Sequence, residues 1–202
     1  MSQYFDNDIL PSEIREFDTV VRDKEFKFKV DNGVFSKNKL DTGSRVLIEG
    51  ILLSGIYGNV LDLGCGYGAL SIILSSFSSI DTFFDGVDVN KRAIHLANMN
   101  KKLNKINNIN FFESDVYSNI TKKYDFIITN PPIRAGKSVI YEMLDNALNF
   151  LNKDGSLIFV MRKEHCAKST YKHLEDMYDI KEIYKKNGFF VFRCNFKLTT
   201  WK

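Results

Sequence analysis

In Val60-Leu61-Asp62-Leu63-Gly64-Cys65-Gly66-Tyr67-Gly68, a short, mostly apolar run leads into a loop with glycine at every second position. A pattern typical of an apolar helix starts directly afterwards at Ala69. Glycine has no Cβ, so a ligand can come very close to the backbone of such a loop. The order of strand, glycine loop and helix therefore predicts the first βα unit of a fold that binds a nucleotide-like ligand.

Short apolar runs and helical patterns alternate from this loop onward, which is the order that produces a parallel sheet with helices on both faces. The predicted strands are 59–63, 84–89, 109–113, 124–129 and 156–161, and the predicted helices are 69–77, 91–103, 139–151 and 167–178. Two further strands, 180–184 and 189–196, flank Asn187-Gly188, a dipeptide typical of tight hairpins. The last strand should therefore run antiparallel to its neighbours.

The chain before the glycine loop predicts a short β extension followed by a helix. Residues 17–22 and 25–30 alternate apolar and polar side chains around Asp23-Lys24, which indicates an exposed hairpin. A helix over 42–53 follows, with its N-cap at Asp41 or Thr42.

Length and composition favour one ordinary globular domain. The chain has 202 residues, of which 44% are hydrophobic and 26% are charged, enough for one full α/β core. We expect a single domain over 1–202, with a β extension and loop over 1–40 and a Rossmann-like core over 41–202. No apolar run approaches the roughly 20 residues of a membrane helix, which predicts a cytoplasmic protein without a membrane partner. The net charge of +3 permits RNA binding without requiring it.

Cysteine and histidine spacing indicates neither a disulfide framework nor a metal site. The three cysteines lie far apart, and the six residues form no C-x-x-C or H-E-x-x-H pattern: Cys65, Cys166, Cys194, His95, His165 and His173. We therefore expect reduced thiols and no metal cofactor.

The glycine loop by itself fits two kinds of cofactor. Gly64-x-Gly66-x-x-Ala69 satisfies the dinucleotide pattern, and Asp88 lies about 20 residues further on, where an acid that binds ribose belongs. Asp62 would attract a ligand with positive ammonium and sulfonium groups and repel a pyrophosphate. Asp115, after the third core strand, suits the amino group of an adenine, although it is also compatible with a turn or cap. The two acids favour a sulfonium cofactor over a nicotinamide dinucleotide.

Asn130-Pro131-Pro132-Ile133 follows the strand over 124–129 and is the most discriminating tetrapeptide of the chain. Each proline restricts its own φ, and Pro131 pushes Asn130 toward extended geometry. The Asn130 side-chain oxygen and the Pro131 carbonyl oxygen can both accept from an amino group and hold its nitrogen in line with a methyl donor. A proline-rich strand exit without a catalytic role is the alternative.

These motifs together resemble the class I S-adenosylmethionine-dependent methyltransferases. The resemblance rests on the glycine loop, Gly86-Val87-Asp88 and Asn130-Pro131-Pro132-Ile133. Within that class, Gly33-Val34-Phe35-Ser36 and Leu40-Asp41-x-Gly43-Ser44 are similar to the small-domain family related to the rRNA guanine-N2 methyltransferase RsmC. The resemblance implies a Rossmann-like, mostly parallel sheet of seven strands with a reversed last strand. It also implies S-adenosylmethionine over the glycine loop, with Asp88 at ribose, Asp115 at adenine and Asn130 at the target amine.

The predicted site residues form three groups. The cofactor would be bound by Asp62, Leu63, Gly64, Cys65, Gly66, Gly68, Asp88, Val89, Asp115, Val116 and Asn130. The catalytic platform would consist of Asn130, Pro131, Pro132 and Ile133. Phe35, Arg134 and Lys137 would contact the substrate, with Phe35 as the candidate for base stacking because Ile133 is not aromatic. Lys27 and Lys29, on one strand face, and Lys37 and Lys39, beside the loop before the helix, are further candidates for phosphate contacts.

The resemblance predicts an N-methyltransferase that acts on the exocyclic amine of a guanine in ribosomal RNA, free or in a ribosomal particle. A protein side-chain amide such as glutamine is the alternative substrate, because Asn-Pro-Pro can bind any planar amino group. A nicotinamide oxidoreductase and a non-catalytic cofactor-binding module are the remaining hypotheses. The longer RsmC relatives have an additional N-terminal domain for which this chain has no room, so their recognition of the ribosome does not carry over directly.

Overall fold

The computed structural model describes residues 11–34, 39–132, 135–162 and 167–197. The strands are β1 (Arg15–Val21), β2 (Lys24–Val30), β3 (Asn59–Leu63), β4 (Phe83–Asp88), β5 (Ile109–Glu113), β6 (Tyr124–Thr129), β7 (Leu151–Arg162), β8 (Tyr178–Lys186) and β9 (Phe189–Phe196). The helices are α1 (Thr42–Ser54), α2 (Ala69–Ser75), α3 (Lys91–Leu103), α4 (Lys137–Asp145), α5 (Ala147–Phe150) and α6 (Ala167–Leu174). In these ranges no helix has the length and apolarity needed to cross a membrane.

Seven of the strands form one sheet in the order β5-β4-β3-β6-β7-β9-β8. The pairs from β5 to β7 are parallel. Strand β9 is antiparallel to both β7 and β8. The predicted mostly parallel sheet with a reversed last strand is therefore confirmed, and the reversed strand lies inside the sheet rather than at its edge.

Strand β3 is buried on both faces, which explains why its sequence is an apolar run without polar alternation. Val60 belongs to the core cluster that includes residues of α1, α2 and α3, and Leu61 belongs to the cluster that includes residues of α4, α5 and α6. The helices therefore cover both faces of the sheet, as the sequence predicted.

Three predicted helices end earlier than their periodicity indicates. The helix predicted over 69–77 ends at Ser75, and the other two end where a strand follows. The pattern over 139–151 becomes α4 and the short α5, and Leu151 already pairs with Tyr124 as the first residue of β7. The pattern over 167–178 stops at Leu174, because Tyr178 starts β8 and pairs with Phe196. In both cases strand pairing far along the chain outweighs the local helical pattern.

The N-terminal hairpin is confirmed, but it is not wholly exposed. Phe26, Phe28 and Val30 of β2 are buried in the same cluster as α3. Its turn also lies one residue earlier than predicted, at Arg22 and Asp23, which have φ values of 46° and 64°. The predicted Asn187-Gly188 turn has the same sign, with φ values of 52° and 76°. Both hairpins thus have the positive φ pair that matches the twist of antiparallel strands.

Asn100 of α3 and Asn104, the residue directly after α3, form hydrogen bonds with the backbone of β2 much as another strand would. Asn100 accepts from the Lys29 N–H at 2.7 Å and donates to the Lys29 carbonyl at 2.9 Å. Asn104 makes the same pair of bonds with Lys27, at 3.1 and 2.7 Å. Asn100 also donates to the carbonyl of Tyr67 at 2.9 Å, so one buried amide links the hairpin to the glycine loop.

Asn100→Ala should lower the free energy of unfolding by about 2 to 4 kcal/mol, because the backbone groups of Lys29 and the Tyr67 carbonyl lose their partner in a buried place. Asn104→Ala makes the same change one helical turn later at a half-buried residue and should cost about 1 kcal/mol. Urea unfolding of the two variants measures both values. An equal loss of unfolding free energy in Asn100→Ala and Asn104→Ala would contradict a special role for Asn100.

Candidate functional site

The predicted cofactor and platform residues that the structure describes lie at the carboxyl ends of four adjacent strands. In the order β5-β4-β3-β6, these ends lead into Asp115, Asp88, the glycine loop and Asn130. Strand β4 lies on one side of β3 and β6 lies on the other, so the direction in which successive strands are added reverses at β3. In open α/β sheets, ligands bind at such a reversal point. The fold therefore brings together residues that are up to 68 positions apart between Asp62 and Asn130.

Hydrogen bonds at the carboxyl ends of the strands hold these ends in register. The Thr129 hydroxyl donates to the Leu63 carbonyl at 2.7 Å, and the Ser114 N–H donates to the Asp88 carbonyl at 3.1 Å. The N–H groups of Gly64 and Cys65 both donate to the Val87 carbonyl at 2.8 Å. The four strand ends consequently form one continuous edge for a ligand.

The three glycines of the loop differ in their surroundings. Gly64, Gly66 and Gly68 have φ values of 76°, 55° and 86°, a region that favours glycine. A Cβ on Gly66 would meet nothing within 4 Å, whereas one on Gly68 would lie 2.8 Å from the ring of Phe111. Gly66 therefore leaves space for a ligand beside the backbone, and Gly68 allows the loop to pack on β5.

Asp88 joins the glycine loop to α3. Its carboxylate accepts from the Gly66 N–H and from the Asn90 N–H, each at 2.9 Å. Burial raises the pKa of Asp88, and the backbone hydrogen bonds act in the opposite direction. Each carboxylate oxygen can accept a second hydrogen bond, which suits the two hydroxyls of a ribose. That assignment stays a prediction.

Asp62 lies inside the protein rather than at the mouth of the site. It is 1% exposed, and one of its oxygens accepts from the backbone N–H and the hydroxyl of Ser71, at 3.2 and 2.5 Å. Burial raises the pKa of Asp62 from 3.8 to about 7. In the described contacts it stabilises α2 beneath the loop, and its contact with a cofactor stays a prediction.

Stability should depend on pH through Asp62. Because the pKa of this residue is higher in the fold than in the unfolded chain, its stabilising contribution is complete below about pH 4 and is lost as the pH rises to about 7. Asp62→Asn is uncharged at every pH and keeps an oxygen acceptor for Ser71. The variant should therefore gain up to about 4 kcal/mol relative to the wild type between pH 4 and pH 8, in urea unfolding. A difference that does not change with pH would contradict this.

The remaining predicted cofactor residues line the same edge with different exposure. Asp115 is exposed, and Val89 and Val116 are half-buried, with Val116 at a φ of 47°. Cys65 is buried, and burial raises the pKa of its thiol far above the ordinary value, so the thiol is neutral at physiological pH. An exposed carboxylate at 115 is accessible to an amino group of a ligand.

Asn130 is held from one side by the start of α1. Its Nδ2 donates to Asp41 Oδ1 at 3.2 Å and to Ser44 Oγ at 3.0 Å. A carboxylate can only accept, so the amide nitrogen must face Asp41, and the amide oxygen keeps its capacity to accept. Sequence reasoning identified Asp41 only as a candidate N-cap and missed this contact. The one available signal was the pattern Leu40-Asp41-x-Gly43-Ser44.

The platform after Asn130 is described in part. Pro131 is buried, Pro132 is half-buried, and the Pro132 carbonyl accepts from the Ala135 N–H at 2.9 Å. The predicted contacts at Phe35, Lys37, Ile133 and Arg134 lie outside the described residues. Lys137 is exposed as the first residue of α4. The catalytic and substrate-binding roles of these residues stay predictions.

The two hairpin lysines that were candidates for phosphate contacts face acidic residues. Lys29 Nζ lies 3.2 Å from Glu16, and Lys27 is paired across the hairpin with Asp18. Opposite charges on neighbouring strands stabilise a hairpin and lower the positive potential available to a phosphate. This face is therefore a weaker candidate for RNA binding than the sequence alone indicated.

Comparison with known proteins gives the family. The family model of the methyltransferase small domain matches residues 25–193, which is most of the chain. The chain belongs to this family. Membership confirms the predicted recognition and the predicted cofactor, S-adenosylmethionine, and it selects methyl transfer over the nicotinamide hypothesis.

Several relatives of this methyltransferase small domain are informative. The Uncharacterized protein YbxB of Bacillus subtilis is 38% identical over 177 residues, which cover 86% of this chain and 88% of that protein. Ribosomal RNA small subunit methyltransferase C of Buchnera aphidicola is 37% identical over 155 residues, which cover 74% of this chain and 45% of that protein. The solved structure of Thermus thermophilus 16S rRNA N2 G1207 methyltransferase, RsmC, with AdoMet and guanosine has a TM-score of 0.81 and 26% identity.

The chain spans about half the length of the RsmC proteins that it matches. The similarity to the Thermus structure covers 94% of this chain and 52% of that one. The small domain therefore has the fold in common with those enzymes, including the seven-stranded sheet predicted from the sequence.

The residues of the site fit S-adenosylmethionine in their chemistry. The edge offers the carboxylates of Asp88 and Asp115, which can accept from hydroxyl and amino groups, and the unobstructed backbone of Gly66. Negative groups suit a cofactor with a positive sulfur. Among the described residues, no group of three or more His, Cys, Asp or Glu side chains is placed to hold a metal ion.

Proposed function

We propose that this protein transfers a methyl group from S-adenosylmethionine to the exocyclic amine of a guanine in ribosomal RNA, free or within a ribosomal particle. The cofactor and the reaction class follow from the family, and the guanine and the RNA are the proposed part. The family relatives named as ribosomal RNA methyltransferases support the choice of RNA.

The orientation of the Asn130 amide carries the proposal. Because Asp41 and Ser44 bind its nitrogen, the amide presents an oxygen to a substrate rather than an N–H. An oxygen acceptor selects a substrate that donates, such as an exocyclic amine, over one that presents a carbonyl oxygen. Asn130 therefore matches the N2 amine of guanine and is mismatched to its O6.

The protein's own residues contribute to this reaction by positioning the acceptor amine and the cofactor. When bound, S-adenosylmethionine supplies a methyl group that its positively charged sulfur has already activated. Asn130 and the Pro131 carbonyl would hold the amine in line with that methyl group, and alignment of this kind is a major source of rate acceleration. An amide is too weak a base to remove the proton, which leaves to water after the nitrogen has been methylated. Asp88, Asp115 and the glycine loop would hold the cofactor in place.

In the direct test, the purified protein is incubated with labelled S-adenosylmethionine and one of three acceptors from cells that lack this protein. The acceptors are ribosomal RNA, ribosomal particles and the protein fraction. We expect label in RNA. Asn130→Ala should abolish this labelling, and Asn107→Ala, the same change in the exposed loop between α3 and β5, serves as the control for nonspecific damage. Label found only in protein would reject the RNA proposal and favour a side-chain amide such as glutamine as the acceptor.

A further inference from the structure

We infer that Asp41 and Ser44, at the start of α1, are positioning residues that set which way the Asn130 amide faces. The inference rests on the proposed function insofar as Asn130 binds the amine, but the contacts that carry it do not depend on the identity of the substrate. Asp41 and Asn130 are 89 positions apart in the chain and meet at the carboxyl edge of the sheet.

The two acceptors make one orientation of the amide strongly preferred. In the observed orientation Nδ2 donates both to Asp41 Oδ1 and to Ser44 Oγ. A flipped amide would place its oxygen against the Asp41 carboxylate, with the loss of a charge-assisted hydrogen bond and the gain of repulsion between two acceptors. The clamp, defined as Asp41 and Ser44, thereby keeps the acceptor oxygen of Asn130 available to the substrate.

Gly43 lets the amide lie directly against the first turn of α1. A Cβ at this position would lie 3.2 Å from Asn130 Oδ1 and 3.3 Å from Asn130 Nδ2, closer than ordinary van der Waals contact. Gly43 has no positive φ, so backbone conformation does not account for the glycine. The close approach of Asn130 and of the Asp41 carboxylate, whose Oδ1 would also lie 3.2 Å from this Cβ, does account for it.

Asp41 connects this clamp to the helix itself. The same Oδ1 that accepts from Asn130 also accepts from the Ser44 N–H at 2.9 Å and so caps α1. The helix is anchored by buried residues, including Val46, Leu47 and Ile51. A rigid, buried helix therefore holds the Asn130 amide, which is the kind of support that keeps a binding group within tenths of an ångström of its working position.

The matched variants separate the clamp from the helix cap. Asp41→Ser keeps a capping hydroxyl, but its shorter side chain does not reach Asn130, and Ser44→Ala removes the second acceptor. Asp41→Asn keeps an Oδ1 that can accept from both partners and is the conservative control. We expect the double variant Asp41→Ser, Ser44→Ala to lower kcat about 10-fold or more, with KM for the acceptor and Kd for S-adenosylhomocysteine within about twofold. Asp41→Asn should stay within about threefold of the wild type in kcat.

A merely structural role is excluded by repeating the double variant in an Asn130→Ala background. There the clamp has nothing to orient, so the two changes should cause no further loss of kcat. A further loss of 10-fold in that background would overturn the inference, as would a double variant with wild-type kcat. If the wild type labels protein and not RNA, the proposed function fails and the same comparison is made with the protein acceptor.

A second readout needs no acceptor at all. NMR spectra of the ¹⁵N-labelled full chain show the side-chain NH₂ protons of Asn130, which are identified by their loss in Asn130→Ala. These protons should exchange with water more slowly in the wild type than in the double variant. Equal exchange rates in the wild type and the double variant would show that Asp41 and Ser44 do not hold the amide, whatever the protein methylates.

Discussion

Replacing Asn130 by alanine should lower kcat about 100-fold, because the amine then has no side-chain oxygen to align it with the methyl donor. The affinity for S-adenosylhomocysteine should change by less than about twofold, because Asn130 acts chiefly on the acceptor. Single-turnover methyl transfer measures the first quantity, and isothermal titration with S-adenosylhomocysteine measures the second. The fold should be preserved, since Asn130 is only half-buried.

Two controls sharpen this result. Asn107→Ala should keep the wild-type kcat, because the residue is exposed and precedes β5, at the opposite end of that strand from the site. Asn130→Asp keeps nearly the same shape but places a second carboxylate beside Asp41, so it should be no more active than Asn130→Ala. A wild-type kcat for Asn130→Ala would show that the Asn-Pro-Pro platform is not the catalytic site.

The second large effect is expected at Gly68. Gly68→Ala should lower the free energy of unfolding by about 2 to 5 kcal/mol, the sum of the strain of a positive φ and the overpacking of a core contact. The added Cβ would lie 2.8 Å from the Phe111 ring and 3.3 Å from the Ala97 backbone, which is part of α3 and cannot easily move. Chemical denaturation measures the loss.

Gly66→Ala is the matched comparison, because Gly66 also has a positive φ but has open space where its Cβ would be. It should cost only about 1 to 2 kcal/mol. Its larger consequence should be weaker binding of S-adenosylhomocysteine, because the methyl group fills the open space in which we propose that the ligand meets the backbone. Equal destabilisation by the two substitutions would contradict the distinct roles of these glycines.

Much of the fold follows from local patterns in the sequence. Alternation of buried strands and amphipathic helices defines the parallel sheet, since each pattern depends on residues within one or two turns of one another. The Asn187-Gly188 dipeptide alone likewise predicts a tight turn, after which β9 runs antiparallel to β8. The sequence also identified Asn130 correctly as a residue at a strand end, next to the strand that carries the glycine loop.

Contacts between distant segments could not be predicted from local sequence patterns. The ends of α5 and α6 depend on pairing of Leu151 with Tyr124 and of Tyr178 with Phe196, which no local window contains. The direction of the Asp62 side chain depends on Ser71 and on its burial between sheet and helix. The contact of Asp41 with Asn130 joins residues 89 positions apart, and a helix N-cap gives no sign of a second partner.

The central claim is that Asn130 presents its oxygen to the exocyclic amine of a guanine. Its most direct test is mass spectrometry of the nucleosides from ribosomal RNA that was isolated from cells lacking the protein and incubated with S-adenosylmethionine and the purified enzyme. We predict N2-methylguanosine with the wild type and its loss with Asn130→Ala. Methylation on oxygen or carbon, or RNA nucleosides identical with and without the enzyme, would contradict the claim.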